Sequence, residues 1–419
     1  MTGRRRVVVT GMGIVAPGAS DVDRFWRRLV AGTSSVGPIR RFDASEYPTR
    51  IAAEVADAPE SPLGRISAFA DAAASRAVED SGLLESSDRR RIGVLVAAGM
   101  GTYGHREVFL PCSAARRNSS GFDREALLSA LRSAIEPRSA ERRSPGSIPA
   151  RLAHRHGFGG PVMAVMTACA AGTQAIGDAV RWIRRGRADA VVAGGADSEL
   201  YPMGLASFCL LGALSTRDGD PSAASRPFEA GRDGFVIGEG AGILVLEERE
   251  HALRRGASIH AEVAGFGSAC DSYRVTDPHP QGRGAVRAMR QAVEEGGIEA
   301  LQIGYINAHG TSTVANDCIE TAAIKRLLGE QAPRVPVSST KSMIGHLTVA
   351  AGAVEAIATI QTLKTQTIHP TINYETPDPE CDLDYVPNRA RPATLRYALS
   401  NSFAFGGQCA SLLLARADA

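Results

Sequence analysis

A cysteine at position 169 stands where an apolar run, Val162–Met166, gives way to small residues and an alanine-rich stretch with helical character. A thiol at a helix N-terminus feels the positive end of the helix dipole, which favours the thiolate. The small neighbours Ala168, Ala170, Ala171 and Gly172 let a substrate carbonyl approach the backbone closely. The same facts fit an inert, buried thiol equally well. Further along, Asn307-Ala-His309-Gly-Thr311-Ser-Thr313 closes a strand-like run. Ligand-facing groups gather at strand C-termini in α/β proteins, although a histidine there also serves as an ordinary hydrogen-bonded loop residue. Lys341 and His346 lie five residues apart in a glycine-containing loop, without the spacing of a phosphate-binding loop. The glycine-dense Arg232-Asp-Gly-Phe-Val-Ile-Gly-Glu239 and Asn401-Ser-Phe-Ala404-Phe405-Gly406-Gly407 read as tight turns between strands or as backbone facing a ligand.

These groups need a scaffold, and the chain supplies alternating strand and helix signals from end to end, the mark of an α/β protein. Strands are expected at 6–11, 92–98, 190–193 and 241–247, with helices at 66–80 and 170–184. The order then repeats: strands at 260–266, 303–308, 395–400 and 410–415, with helices at 285–293, 319–328 and 350–362. The ending Gly-Gly-Gln-Cys-Ala-Ser-Leu-Leu-Leu echoes Gly-Glu-Gly-Ala-Gly-Ile-Leu-Val-Leu at 238–246. Two related halves, 1–255 and 256–419, are expected. Residues 113–148, rich in Arg, Ser and Ala, read as a surface excursion with one helix near Arg124–Ile135.

Composition narrows the function. At 419 residues, with 44% hydrophobic and 22% charged residues, the chain buries a substantial core. A formal charge of +2 argues against bulk nucleic-acid binding. The seven cysteines are odd in number and lack C-x-x-C spacing, which suits reduced thiols better than a disulfide framework or a zinc site. Arg4-Arg5-Arg6 precedes only Val7-Val8-Val9, too short an apolar run for a secretory signal, and no run approaches a membrane span. A soluble, cytoplasmic protein is expected.

Taken together and in this order, Cys-x-x-Gly, His-Gly-Thr-x-Thr, Lys-x-x-x-Gly-His and Asn-Ser-Phe-x-Phe-Gly-Gly resemble the β-ketoacyl-acyl-carrier-protein synthase II-type condensing enzymes, or ketosynthases. The resemblance runs from Val-Thr-Gly-Met-Gly at 9–13 to the last strand and takes in Arg226-Pro-Phe and Arg232-Asp-Gly-Phe. It implies a thiolase fold, five layers (αβαβα) in two duplicated halves with the active site between them. It implies an acyltransferase in which Cys169 accepts an acyl group from the phosphopantetheine of an acyl carrier protein. Backbone N–H groups of Cys169 and Phe405 would form the oxyanion hole. His309 and His346 would promote malonyl decarboxylation, and Lys341, paired with Glu320, would tune the site. Thr311 and Thr313 would bind the pantetheine arm, and Phe405 with Gly406 and Gly407 would gate the cysteine. Arg65, before a helix resembling a carrier-facing element, would contact the acidic carrier protein. No metal and no cofactor of its own is implied. The implied partners are the carrier protein and either a second copy or a chain-length-factor-like homologue, with neither nucleic acid nor membrane.

The chain departs from the family pattern at Ala404, where glycine is usual, at Ala171, at Gln408-Cys409, at Val349 and in the 113–148 excursion. Every reacting group is kept while the surroundings change. That favours the ketosynthase subunit of a type II polyketide or polyene system over housekeeping fatty-acid elongation. A degradative thiolase and a non-catalytic scaffold subunit are remoter alternatives.

Overall fold

In the computed structural model, which describes residues 4–58, 61–85, 88–99, 105–117, 121–135, 141 and 143–418, ten strands form one mixed sheet among the described residues. Val7–Val15 and Ala261–Cys270 meet at its middle through a short antiparallel contact. Outward from Val7–Val15 run Glu239–Glu248, Ala190–Ser198, Ile92–Ala98 and Val162–Val165. Outward from Ala261–Cys270 run Gln408–Arg416, Tyr397–Phe403, Ile303–Asn307 and Val337–Ser338. On both sides the first strand pairs antiparallel with the fifth in chain order, then comes the fourth, again antiparallel, then the second and third, both parallel. Each opening strand also carries a register shift, at Val9/Gly11 and at Val263/Gly265.

The outer helices approach the two sides by the same device. A Cβ on Gly11 or Gly13 would lie 2.1 or 1.9 Å from the carbonyls of Ala77 and Ala73 in helix Arg65–Ser81. A Cβ on Gly265 or Gly267 would lie 2.0 or 1.8 Å from those of Ala292 and Ala288 in helix Arg283–Gly296. Only glycine permits helix backbone to rest directly on the strand. Between the two sides, helices Ala171–Arg184 and Ala351–Thr365 pack together in the largest apolar cluster, with separate clusters beneath each outer helix. Helix, sheet, paired helices, sheet and helix make the five layers of a thiolase fold.

Thirteen of the fifteen residues of Ala351–Thr365 are buried, the polar Glu355, Thr359, Gln361 and Thr362 among them, so the helix is enclosed on almost every side. The 113–148 excursion contains helix Arg124–Ala134, flanked by His105–Ala115 and a small strand pair. Its residues 118–120, 136–140 and 142 lie outside those described. None of the helices searched is long and apolar enough to cross a membrane.

Candidate active site

Cys169 sits on the turn after Val162–Val165, behind Ala168 at φ 47°, a left-handed conformation that aims the chain sharply into helix Ala171–Arg184. The amides of Ala170 and Ala171 bond back to the carbonyls of Thr167 and Ala168, so this helix end does not lie fully open towards the sulfur. Burial pushes the Cys169 thiol up to about 12, and the charge of Lys341 only partly opposes that. This corrects the expectation of a thiolate favoured by the helix terminus: in the resting cavity burial wins.

His309 enters the same cavity, of about 340 Å³, from the end of strand Ile303–Asn307. Its loop is held by a carboxylate. Glu320 accepts the His309 N–H at 2.9 Å on one oxygen and the Gly310 N–H at 2.8 Å on the other. Burial nevertheless lifts Glu320 to about 7, with those bonds pulling it back. Three residues before it on the same helix, Asp317 accepts the Thr311 N–H at 3.0 Å and the Phe228 N–H at 2.8 Å. Thr311 and Thr313, both on the cavity wall, share a hydroxyl hydrogen bond of 2.9 Å.

His346 comes from the segment between Lys341–Ile344 and Thr348–Ala350. Its backbone bridges to Val236 and Gly238, at 2.7 and 2.9 Å. Its Nδ1 accepts the Thr348 N–H at 3.3 Å, so in the neutral ring the proton resides on Nε2. The two imidazoles meet edge-on with centroids 5.2 Å apart. Burial first, and Lys341 second, hold both well below the ordinary imidazole range, so both are neutral near pH 7. The Nδ1 of His309 is buried without a hydrogen-bond partner among the described residues.

Lys341 is 1% exposed, and its ammonium is bonded to Glu355, not to Glu320. The expected pairing is therefore corrected. Glu320 already spends both oxygens on the His309 loop, whereas Glu355 in the central helix has one oxygen free for the lysine. Sequence reasoning missed Glu355 and Asp317. A signal existed for each: Glu355 is the lone acid in an otherwise uncharged apolar run, and Asp317 shares Glu320's helix face at i, i+3 spacing.

Phe405 lines the cavity on a one-turn segment with Gly406 at φ 81° and Gly407 at φ 73°. Ala404 is extended at φ −131°, so its Cβ carries no strain in this conformation. Ala404, Gly406 and Gly407 donate their amides to the carbonyls of Gln408, Val275 and Ala404. The Phe405 amide has no acceptor among the described residues. Cys409 lies in the wall of the same cavity.

Arg65 is not at the cavity and not free. It forks onto the fully buried Glu239 and also reaches the Val55 carbonyl. Two of its three nitrogens, Nε and Nη2, are thus engaged inside the fold, which points away from the carrier-docking role expected of it. Among the described residues one group, Cys318, Asp378 and Cys381, has donor atoms within 4.8 Å of one another, close enough to hold a metal. The Arg232 guanidinium already fills the cation's place, with 2.6 Å to Asp378 and 3.1 Å to Cys318.

The sequence matches the N-terminal domain of β-ketoacyl synthases over residues 4–252 and their C-terminal domain over 260–375. It is 42% identical to the 3-oxoacyl-[acyl-carrier-protein] synthase 2 of Synechocystis sp., covering 98% of this chain and 97% of the relative. A protein of the same name from Coxiella burnetii is 41% identical over 99% of both chains. Among solved structures, a type II polyketide acyl-carrier protein in complex with its ketosynthase bound to the hexaketide aligns with a TM-score of 0.88 at 35% identity, covering 99% of this chain and 100% of the other. The ishigamide ketosynthase/chain length factor aligns with a TM-score of 0.87 at 37% identity, again covering 99% and 100%.

Proposed function

This chain belongs to the β-ketoacyl synthase family, and from that premise we propose that it is a ketosynthase that joins malonyl units to an acyl chain held on Cys169. The Cys169 sulfur attacks the thioester of an acyl group on a carrier protein's phosphopantetheine. The acyl group passes to the sulfur, and the thiol proton ends on the departing pantetheine thiol. The amides of Cys169 and Phe405 stabilise the tetrahedral oxyanion. Malonyl-carrier protein then enters, its pantetheine arm bonded by Thr311 and Thr313. His309 and His346 donate N–H bonds to its thioester oxygen, carbon dioxide leaves, and the enolate attacks the acyl carbonyl on Cys169. The β-ketoacyl thioester departs on the carrier. Burial, aided by the charge of Lys341, keeps the imidazoles neutral, Glu320 holds the His309 loop, and Gly406 and Gly407 give the Phe405 gate its turn. The two units of this enzyme are 1–255, bearing the cysteine, and 256–419, bearing the histidines.

The observation that carries this reading is a thiol and two neutral imidazoles on one cavity, with the charge of the buried Lys341 acting on all three. The N–H groups of neutral imidazoles are donors that stabilise a developing enolate. A degradative thiolase would use a second cysteine as an acid–base group, and Cys409 offers one, but the paired imidazoles with Lys341 suit decarboxylation instead.

For the pathway, we favour a type II polyketide or polyene system over fatty-acid elongation. Solved neighbours are a ketosynthase holding a hexaketide and ketosynthases with chain length factors, although the curated relatives are named as 3-oxoacyl synthases. A partner subunit is supported by the sheet edge. Val162–Val165 has one neighbouring strand, and Val162, Met163 and Met166 are 42%, 39% and 49% exposed. That partner is a second copy or a chain-length-factor-like homologue, and the carrier protein docks at the cavity mouth. The enzyme works in the cytoplasm.

The test is release of labelled carbon dioxide from malonyl-carrier protein alongside mass-spectrometric detection of acyl-Cys169. Cys169→Ala eliminates the acyl adduct and condensation. An acyl adduct that persists on the variant refutes the assignment.

A further inference from the structure

His346 is the one residue of the site whose ring orientation is set by a neighbour with a strained backbone. Thr348, whose amide bonds His346 Nδ1, sits at φ 47°, a conformation that a β-branched residue adopts only when something holds it there. The holder is Asp197, at the end of strand Ala190–Ser198 and 1% exposed. One oxygen of its carboxylate, Oδ2, accepts both the Thr348 hydroxyl and, at 3.0 Å, the Val349 N–H. The other, Oδ1, accepts the N–H of Ser198 at 2.9 Å. The room for this carboxylate is made by Gly99, where a Cβ would lie 2.0 Å from Oδ1. The carbonyl of Val349 in turn rests against Gly172 and Gly195, so the same segment is wedged between the cysteine's helix and the strand that bears Asp197.

We propose that Asp197 is a positioning residue of the condensation reaction, holding the Thr348–Val349 turn so that His346 keeps its Nε2–H aimed into the cavity. The inference rests on the role given above to His346. Its physical logic is that of an orienting group behind an imidazole, displaced by one peptide: carboxylate to threonine hydroxyl, threonine amide to ring nitrogen. A donor facing Nδ1 is needed to keep the ring proton on Nε2, and the Thr348 N–H supplies it only while the left-handed turn persists. Asp197 also bears on the nucleophile, because its charge raises the Cys169 thiol while Lys341 lowers it. One carboxylate thus touches both half-reactions, in opposite senses. It orders the decarboxylating imidazole and makes the resting thiol harder to ionise.

Two variants separate these effects. Thr348→Val removes the hydroxyl that Asp197 grips and leaves the carboxylate; Thr348→Ser keeps the hydroxyl. Asp197→Asn neutralises the charge and sets an amide NH₂ against either the Ser198 amide or the Thr348–Val349 donors. Expected results are a tenfold or greater loss of malonyl decarboxylation in Thr348→Val and Asp197→Asn, with near wild-type rates in Thr348→Ser. Acylation of Cys169 should change less than threefold in Thr348→Val. The pH profile of iodoacetamide alkylation at Cys169 should move to lower pH in Asp197→Asn and stay in place in Thr348→Val. A wild-type decarboxylation rate in Thr348→Val overturns the proposal, as does an equal loss of acylation and decarboxylation in that variant. Absence of carbon dioxide release from the wild-type enzyme would instead overturn the ketosynthase reading itself.

Discussion

Replacing Lys341 by methionine keeps the length of the side chain and removes its charge, which isolates what the ion pair with Glu355 does. Both partners are 1–2% exposed, and the second oxygen of Glu355 has no hydrogen-bond partner among the described residues. With the ammonium gone, the only group near Oε1 is the Thr340 hydroxyl at 3.5 Å. Breaking one side of a buried ion pair costs about 3–5 kcal/mol, because the remaining charge is left without compensation. Replacing both partners by apolar residues of similar volume is close to neutral or better by about 1–4 kcal/mol. Lys341→Met should therefore lower the apparent unfolding free energy by about 3–5 kcal/mol, and Lys341→Met/Glu355→Met should recover most of it. Burial already raises Glu355, so the single variant's deficit should be full at neutral pH and shrink as acid protonates the stranded carboxyl. Function should follow chiefly the lysine, because Glu355 raises the Cys169 thiol less than Lys341 lowers it. Its charge lowers the Cys169 thiol and both imidazoles, so alkylation of Cys169 at pH 8 should be slower in both variants. Urea unfolding at several pH values, with alkylation followed by peptide mass spectrometry, gives both readouts. A double variant as unstable as the single one, or one with restored thiol reactivity, would refute the reasoning.

In Glu320→Gln the amide can accept from His309 or from Gly310 but not both, so one buried N–H is orphaned at a cost of about 1–3 kcal/mol and decarboxylation should fall. Because Glu320 is raised to about 7, the folded enzyme binds this proton more tightly than the unfolded chain does. Its contribution to stability is complete below the ordinary carboxylate value of about 4.3 and lost as pH rises through about 7, a slope that glutamine should abolish in thermal unfolding between pH 4 and 8. Arg65→Glu should set two carboxylates together at Glu239 and lower stability by at least about 3 kcal/mol. Unchanged unfolding temperature with weakened carrier binding would return Arg65 to a docking role.

The reading of elements from periodicity came close where the strands are near-continuous buried apolar runs and the helices are long enough to show an apolar stripe. Its shortfalls are helices Val22–Val30, Ser147–His156 and Pro202–Leu210, which it did not expect, and the first turn of helix Val314–Leu328, expected from Ile319. The missed first turn carries Asn316 and Asp317: Asp317 accepts the Thr311 N–H and the Asn316 side-chain amide instead of joining an apolar stripe. The chemical residues were legible for a different reason: they lie in short local motifs, each at the end of a strand or the start of a helix. What could not be read locally is which charge faces which. Lys341 lies 21 residues from Glu320 and 14 from Glu355, and nothing in that spacing chooses between them. The choice is made by two amides, of His309 and Gly310, that consume Glu320 before the lysine arrives. Arg65 and Glu239 are 174 residues apart and meet only because the outer helix lies on its sheet. The depth of Cys169 is likewise a property of the assembled layers. A helix terminus is visible in the chain, but the surroundings that outweigh it come from distant stretches of sequence around one cavity. Yet the sequence held one unused clue to the pairings. A glutamate alone in a run as apolar as Ala350–Leu363 must either stay neutral or own a partner, and the only buried lysine on the page is the one that answers it.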